Sequence, residues 1–152
     1  METPGDTMVK IQAVGTAFLL SLAIGGAALA QGATPINPAE VVGEWTLAIT
    51  PAERQDMRIT FKAKDGSQRL EFPLTIAAQP NGRLTCAVEG RHAECRIRDG
   101  SLVVVSGDNG VRMTFTLTSR TRAGFSGGFG MRVRLLPIGG HIGAVNMTRR
   151  QG

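Results

Sequence analysis

Residues 124–128, GFSGG, carry the G-x-S-x-G pattern, in which a serine becomes a nucleophile on a sharp turn between a strand and a helix. In that arrangement a carboxylate and then a histidine follow the serine along the chain. Here no Asp or Glu follows Asp108, and the residues after position 128 alternate like a strand. We therefore predict that Ser126 is not catalytic, that its glycines mark a bend or bulge, and that the protein is not an enzyme.

Two histidines and two cysteines are the other residues that could do chemistry. Cys86, His92 and Cys95 could hold a zinc ion, but no second histidine stands at ligand spacing from His92 or from His141. In an exported chain, two cysteines nine positions apart form a disulfide more readily than a metal pair. We therefore predict a Cys86–Cys95 disulfide, no metal site and no cofactor.

Export is indicated by the start of the chain. Lys10 precedes an uncharged apolar run over residues 13–29, and Ala28 and Ala30 give the small-residue pattern of a cleavage site. The strongly apolar part is short for a membrane span and contains two glycines. We expect a signal peptide over 1–30, no integral membrane span after its cleavage, and a periplasmic or secreted protein.

Alternation of apolar and polar residues with a period of two runs through most of the mature chain. It predicts eight or nine short antiparallel strands, over 43–50, 57–63, 69–77, 83–88, 93–98, around Leu102 and Val104, around Phe115, over 123–136 and near 142–149. Closure into an up-and-down, lipocalin-like barrel would remove exposed strand edges. We expect this all-β barrel domain over 43–152, after an extended trunk and a short helical turn over 31–42, with Asn37 as the helix cap.

The turns set the expected register of the central hairpins. A loop over 89–92 would place Cys86 opposite Cys95, and the two-residue turn at 99–100 would place Cys95 opposite Val104. Both registers put apolar residues on one inner face. Further along, the same alternation predicts the inward side chains Phe125, Phe129, Met131, Val133 and Leu135.

Positive charge is concentrated in the last part of the chain. The mature chain has 16 basic and 10 acidic residues, and residues 110–152 hold seven arginines and no acid. Arginine favours bidentate contacts with carboxylate or phosphate, although solvated strand faces would also explain these residues. Nucleic acid is not expected, because the chain is exported and has no Tyr for base stacking. We predict a surface for an acidic exported protein or the anionic cell envelope at Arg120, Arg122, Arg132 and Arg134.

Trp45 is the only Trp and stands at the start of the first strand, where we expect it to plug one end of the barrel beneath Arg149. Residues 38–47, PAEVVGEWTL, resemble the opening of the small secreted inhibitors of bacterial serralysin-type zinc metalloproteases, the alkaline-protease inhibitor family. The resemblance spans about residues 31–122. Similarity to the family's later strands lies at residues 99–102, Val111, Phe115, Arg120 and Arg122.

This resemblance implies a lipocalin-like barrel that inhibits a secreted zinc metalloprotease by inserting its N-terminal trunk into the protease cleft. A strand that the scaffold has already ordered loses less entropy when it binds. A disordered remnant of signal cleavage is the alternative interpretation of the trunk. The resemblance implies that the protease is contacted by the trunk residues Gln31, Gly32, Ala33, Thr34, Pro35 and Ile36. The first two of these would lie closest to the catalytic zinc of the protease.

The alternative function is a lipocalin-like protein that binds an apolar or anionic ligand of the cell envelope. The size of the barrel interior separates the two functions. An eight-stranded barrel of this length is expected to be filled by its inward side chains, among them Phe61, Phe72, Met113, Phe115 and Phe125. We therefore favour a protein that acts through its surface, with protease inhibition as the leading hypothesis.

Overall fold

The structure is a computed structural model that describes residues 34–52, 66, 70–137 and 139–151. Within these residues it contains one short helix followed by eight strands. They are α1 (Pro38–Val41), β1 (Gly43–Pro51), β2 (Glu71–Ala78), β3 (Leu84–Val88), β4 (Arg91–Arg98), β5 (Ser101–Gly107), β6 (Val111–Arg120), β7 (Gly124–Val133) and β8 (Gly139–Arg149). Each strand pairs antiparallel with the next, and β8 pairs with β1, so the predicted all-β, up-and-down barrel is confirmed.

The barrel closes with eight strands. The strand expected over 57–63 lies outside the described residues, as do the expected signal peptide and the first three trunk residues. Both edges of β1 are already occupied, because Trp45 pairs with Leu74 of β2 and with Arg149 of β8. No helix in the described part of the chain is long and apolar enough to cross a membrane.

The helical turn forms where the sequence predicts it. The Asn37 side chain accepts a hydrogen bond from the amide of Ala39 at 2.9 Å, and the Asn37 amide donates to the Glu40 carboxylate at 2.8 Å. This reciprocal capping box satisfies donors that a helix start leaves without partners. Pro38 occupies the first turn, where its missing N–H costs nothing.

Aromatic rings fill the middle of the barrel. Phe115 packs against Phe72 and Phe129, with ring centroids 6.4 and 5.1 Å away. All three rings are buried, and burial of each stabilises the fold by about 1.5–3 kcal/mol. Side chains thus occupy the barrel interior at this level, while Phe61, which was also expected inside, lies outside the described residues.

The predicted disulfide is confirmed, but the predicted register around it is wrong by two residues. Cys86 lies opposite Ala93 rather than Cys95, and the disulfide joins the diagonal pair with Cα atoms 5.9 Å apart. The connection is a two-residue turn at Glu89 and Gly90, with φ values of 55° and 73°. Such a turn matches the twist of the strands better than the expected four-residue loop, and a shift of two leaves every side chain on its predicted face.

The β4–β5 hairpin has the predicted register, with Cys95 opposite Val104. The turn at Asp99 and Gly100, with φ values of 50° and 74°, places Ile97 opposite Leu102. On β6 the inward residues Met113, Phe115 and Leu117 face Ser106, Val104 and Leu102 of β5, and all six are buried.

The last predicted inward residue of β7 is wrong. Leu135 is 91% exposed, because β7 ends at Val133 and the chain turns over residues 134–137. Val133 pairs with Val111, the first residue of β6, so no neighbouring strand continues beyond it. Alternation alone does not reveal where the partner strand begins.

Candidate functional site

Ser126 lies inside a strand and not on a nucleophile turn. It is half-buried on β7, between Ser119 of β6 and Asn146 of β8, and β7 continues to Val133 with no helix after it. The pairing with β6 shifts at this point, and a Cβ on Gly127 would lie 1.8 Å from the Thr116 carbonyl oxygen. The irregularity lies between Leu117 and Ser119 of β6, opposite the glycines that we expected to mark a bend or bulge, and the close approach of the two backbones requires glycine at position 127.

The described residues hold no group of three or more His, Cys, Asp and Glu side chains that could bind a metal ion. Cys86 and Cys95 are joined in the disulfide, which leaves neither thiol as a ligand for a zinc ion beside His92. His141 lies against Gly128, where an added Cβ would be 2.9 Å from its imidazole Cε1.

Trp45 is buried near one end of the barrel, at the third position of β1. The residue is 2% exposed, its Nε1 donates to the Val41 carbonyl at 2.7 Å, and the Arg149 guanidinium lies 4.5 Å from the ring centroid. A cation over an indole face is attracted by the negative face of the ring. Gly43 makes room for this contact, since a Cβ there would lie 2.7 Å from Arg149 Nη1 and its φ is +134°.

The trunk root, defined as Thr34, Pro35 and Ile36, is attached to this same end. Ile36 is 2% exposed and belongs to the core, and its amide donates to the Gly100 carbonyl in the β4–β5 turn at 2.9 Å. Pro35 packs on Gly100, where an added Cβ would lie 3.1 Å from the proline Cα. The root is therefore held by apolar burial and by a backbone hydrogen bond outside the sheet.

Arg120 joins the trunk root, the helix and β6. Its guanidinium donates to the carbonyl oxygens of Thr34 and Pro35, the latter at 2.8 Å, and it lies 2.6 Å from the Glu40 carboxylate. The hydrogen bond from Arg120 and a backbone hydrogen bond from Asn37 hold the pKa of Glu40 below its ordinary value. The sequence predicts that Arg120 faces an anionic partner, but in the structure its guanidinium donates to groups of its own chain.

The other predicted trunk residues are divided between the described and undescribed parts of the chain. Gln31, Gly32 and Ala33 lie outside the described residues. Thr34 and Pro35 are exposed, whereas the Ile36 side chain is buried. In this structure Ile36 supports the trunk from inside the barrel, and contact between the trunk and a protease stays a prediction.

The predicted arginine surface is not one surface. Arg120 and Arg122 lie at the Trp45 end of the barrel, while Arg132 and Arg134 lie at the opposite end, where Arg132 pairs with Arg112. Residues 112 and 120 are separated by most of β6, about 26 Å at 3.3 Å per residue. These arginines are close together in the sequence, but the antiparallel course of β6 and β7 places them at opposite ends of the barrel.

An open cleft of about 600 Å³ lies at this second end. Arg112 is 3.8 Å from the Glu94 carboxylate, and the amides of Gly110 and Val111 hold the pKa of Asp108 below its ordinary value. Both signs of charge therefore meet in the cleft. Its lining is His92, Glu94, Val105, Ser106, Gly107, Asp108, Val111, Arg112, Arg132 and Arg134.

No local sequence pattern marks this cleft. Its residues come from the consecutive strands β4 to β7 and from the turns that follow β5 and β7, and the registers of these strands bring them together. The like-charged pair of Arg112 and Arg132 was the one available signal, and it required the register of β6 and β7.

The chain matches no protein-family model, no curated protein and no solved structure.

Proposed function

We propose that the mature protein is a periplasmic or secreted inhibitor of a serralysin-type zinc metalloprotease, with the residues before Thr34 entering the protease cleft. The observation that carries this proposal is the fixed trunk root. Ordering each backbone residue costs about 1–2 kcal/mol, so a root that is already ordered reduces the cost of presenting a short extended segment. Arg120, Ile36 and Gly100 supply that order here.

The attachment of the root narrows the segment that would meet the protease. The Ile36 side chain is enclosed by the barrel, and Arg120 binds the carbonyl oxygens of Thr34 and Pro35. The side chains of Thr34 and Pro35 and the three residues before them remain as contacts for a cleft. The resemblance of residues 38–47 to the opening of the alkaline-protease inhibitors supports the same assignment.

The packed interior supports action through the surface. Phe72, Phe115 and Phe129 occupy the middle of the barrel, where a lipocalin-like carrier would need space for an apolar ligand. Apolar ligand storage is therefore disfavoured relative to protein binding.

The test is the inhibition constant of two forms of the mature protein against a serralysin-type zinc metalloprotease. One form begins at Gln31 and the other at Thr34, so that the trunk root and core residue Ile36 remain in both. Inhibition by the longer form that is lost in the shorter form is the expected result. Equal inhibition by both forms, or none by either at micromolar protein, would contradict the proposal.

Arg120 and Arg122 provide a matched pair for the role of the root. Both are exposed arginines at the same end of the barrel, but Arg120 holds the trunk root. Arg120→Ala should weaken inhibition by the form that begins at Gln31, whereas Arg122→Ala should leave it near the wild-type value. The reverse pattern would assign inhibition to surface charge rather than to trunk presentation.

A second candidate function is binding of an anionic envelope ligand, and the cleft at the opposite end favours it. Arg112, Arg132 and Arg134 line this cleft, and guanidinium groups suit phosphate or carboxylate. Titration with glycerol phosphate, followed by NMR shifts of the cleft residues, tests this function. Binding that Arg132→Gln abolishes and Arg122→Gln does not would support it, and the absence of shifts would reject it.

A further inference from the structure

Two leucines project from the turn between β7 and β8. Leu135 is 91% exposed and Leu136 is 52% exposed, and they are the exposed large hydrophobic residues of the described chain. We call residues 134–137, which contain both, the β7–β8 tip. Single exposed apolar residues are common on protein surfaces. Two adjacent exposed leucines in one turn form a small apolar patch, whose exposure to water is unfavourable.

Hydrogen bonds hold the tip to the barrel. The amide of Arg134 donates to the Gly110 carbonyl in the β5–β6 turn at 2.9 Å, and the amide of Leu136 donates to the Val133 carbonyl at 3.4 Å. The leucines are thus presented by a turn whose base is joined to the neighbouring hairpin. Such a turn can place them against a surface with little further loss of conformational entropy.

Arginines surround the base of the tip. Arg132 and Arg134 are exposed beside the leucines, and Arg112 lies directly opposite Arg132 on β6. Like charges in directly opposite positions destabilise a sheet, and an anionic partner would relieve that repulsion. Among the described residues that line the neighbouring cleft, the acids Glu94 and Asp108 are outnumbered by Arg112, Arg132 and Arg134.

We propose that the β7–β8 tip docks the protein on an anionic lipid bilayer, with Leu135 and Leu136 entering the interface and Arg132 and Arg134 contacting lipid phosphates. Anionic bilayers are bound by apolar side chains that reach the acyl boundary together with nearby cationic side chains that contact the headgroups. A small soluble anion would use the arginines but would gain nothing from the leucines. A bilayer is therefore the partner that uses both groups.

The position of the tip keeps this proposal independent of protease inhibition. The tip and the trunk root lie at opposite ends of the barrel, because Arg112 and Arg120 mark opposite ends of β6 and neighbour them respectively. A bilayer at one end leaves the other accessible, so either activity can fail without the other.

The test is sedimentation of the mature protein with vesicles of phosphatidylglycerol mixed with phosphatidylcholine, compared with phosphatidylcholine alone. We expect binding to the anionic vesicles that weakens as salt is added. The double variant Leu135→Ser/Leu136→Ser should bind at least about 30-fold more weakly, and Arg132→Gln/Arg134→Gln should also bind about 30-fold more weakly. Arg122→Gln, which changes an exposed arginine at the other end, should bind like the wild type.

Circular dichroism of each variant checks that the barrel is intact, which these exposed positions should allow. No binding to anionic vesicles by the folded wild type would overturn the proposal. Equal binding by the double leucine variant would also overturn it, because charge alone would then explain the attraction. Self-association of the wild type that the leucine variant abolishes would assign the tip to a second copy of the chain instead.

Discussion

Replacing Ile36 with Ala should weaken the attachment of the trunk root to the barrel. Ile36 is 2% exposed and its amide is bonded to the Gly100 carbonyl. Truncation of a buried Ile to Ala costs about 2–5 kcal/mol, and the cost falls where neighbours can relax. The short root allows some relaxation, so we expect a loss of about 2–3 kcal/mol in the free energy that keeps the root closed.

Hydrogen exchange at the residue 36 amide measures this free energy directly, because that amide is protected only while the root is closed. A loss of about 2–3 kcal/mol corresponds to exchange that is faster by about 30- to 150-fold. Thr34→Ala is the matched control, since it removes an exposed side chain and keeps the carbonyl that Arg120 binds. Exchange in this control should stay within about twofold of the wild type.

Two results would refute this reasoning. Unchanged exchange in Ile36→Ala would mean that burial of this side chain does not hold the root. Equally fast exchange in Thr34→Ala would mean that the root is loose and that its contacts in the structure contribute little. Either result would also remove the physical basis for an ordered trunk.

Three further predictions concern stability. Because the pKa of Glu40 is lowered in the fold, its pairing with Arg120 should stabilise the protein fully above pH 4.5, the ordinary pKa, and lose this effect as pH falls through the lower folded pKa. The difference in melting temperature between the wild type and Glu40→Gln should therefore disappear as pH falls through this range. A difference that stays constant would contradict the prediction. The disulfide closes a short loop, so its removal in Cys86→Ala/Cys95→Ala should lower the free energy of unfolding by about 2–3 kcal/mol in denaturant titrations. An unchanged free energy of unfolding would show that the bridge does not constrain the unfolded chain. Gly127→Ala should lower the free energy of unfolding by about 3 kcal/mol or more in the same titration, because the added Cβ would lie 1.8 Å from a backbone carbonyl oxygen. An unchanged free energy of unfolding would contradict the close approach of the two backbones.

Local patterns were sufficient to predict much of the barrel. Alternation identified the inner faces, and the Asp99-Gly100 turn set the β4–β5 register correctly. The β3–β4 register could not be chosen in this way, because a loop of two residues or of four leaves Cys86 and Cys95 on the same face. Only the positive φ angles of Glu89 and its neighbour separate the two possibilities.

The contacts of the candidate site depend on which side chains of distant segments meet at each end of the barrel, and alternation does not specify this. Arg120 reaches carbonyl groups 85 and 86 positions earlier in the chain. Its charge alone suggested an external partner, whereas its position places it over the trunk root. Likewise, Leu135 continued an apolar alternation, but the start of β6 at Val111 removed the strand that would have covered it.

Competition at the catalytic zinc tests the central claim most directly. Binding of the mature protein that begins at Gln31 should be measured with a serralysin-type protease whose zinc carries a small hydroxamate. If the trunk enters the cleft, the apparent affinity should fall in proportion to hydroxamate occupancy, as in simple competition. Undiminished binding to the fully occupied protease would contradict cleft insertion.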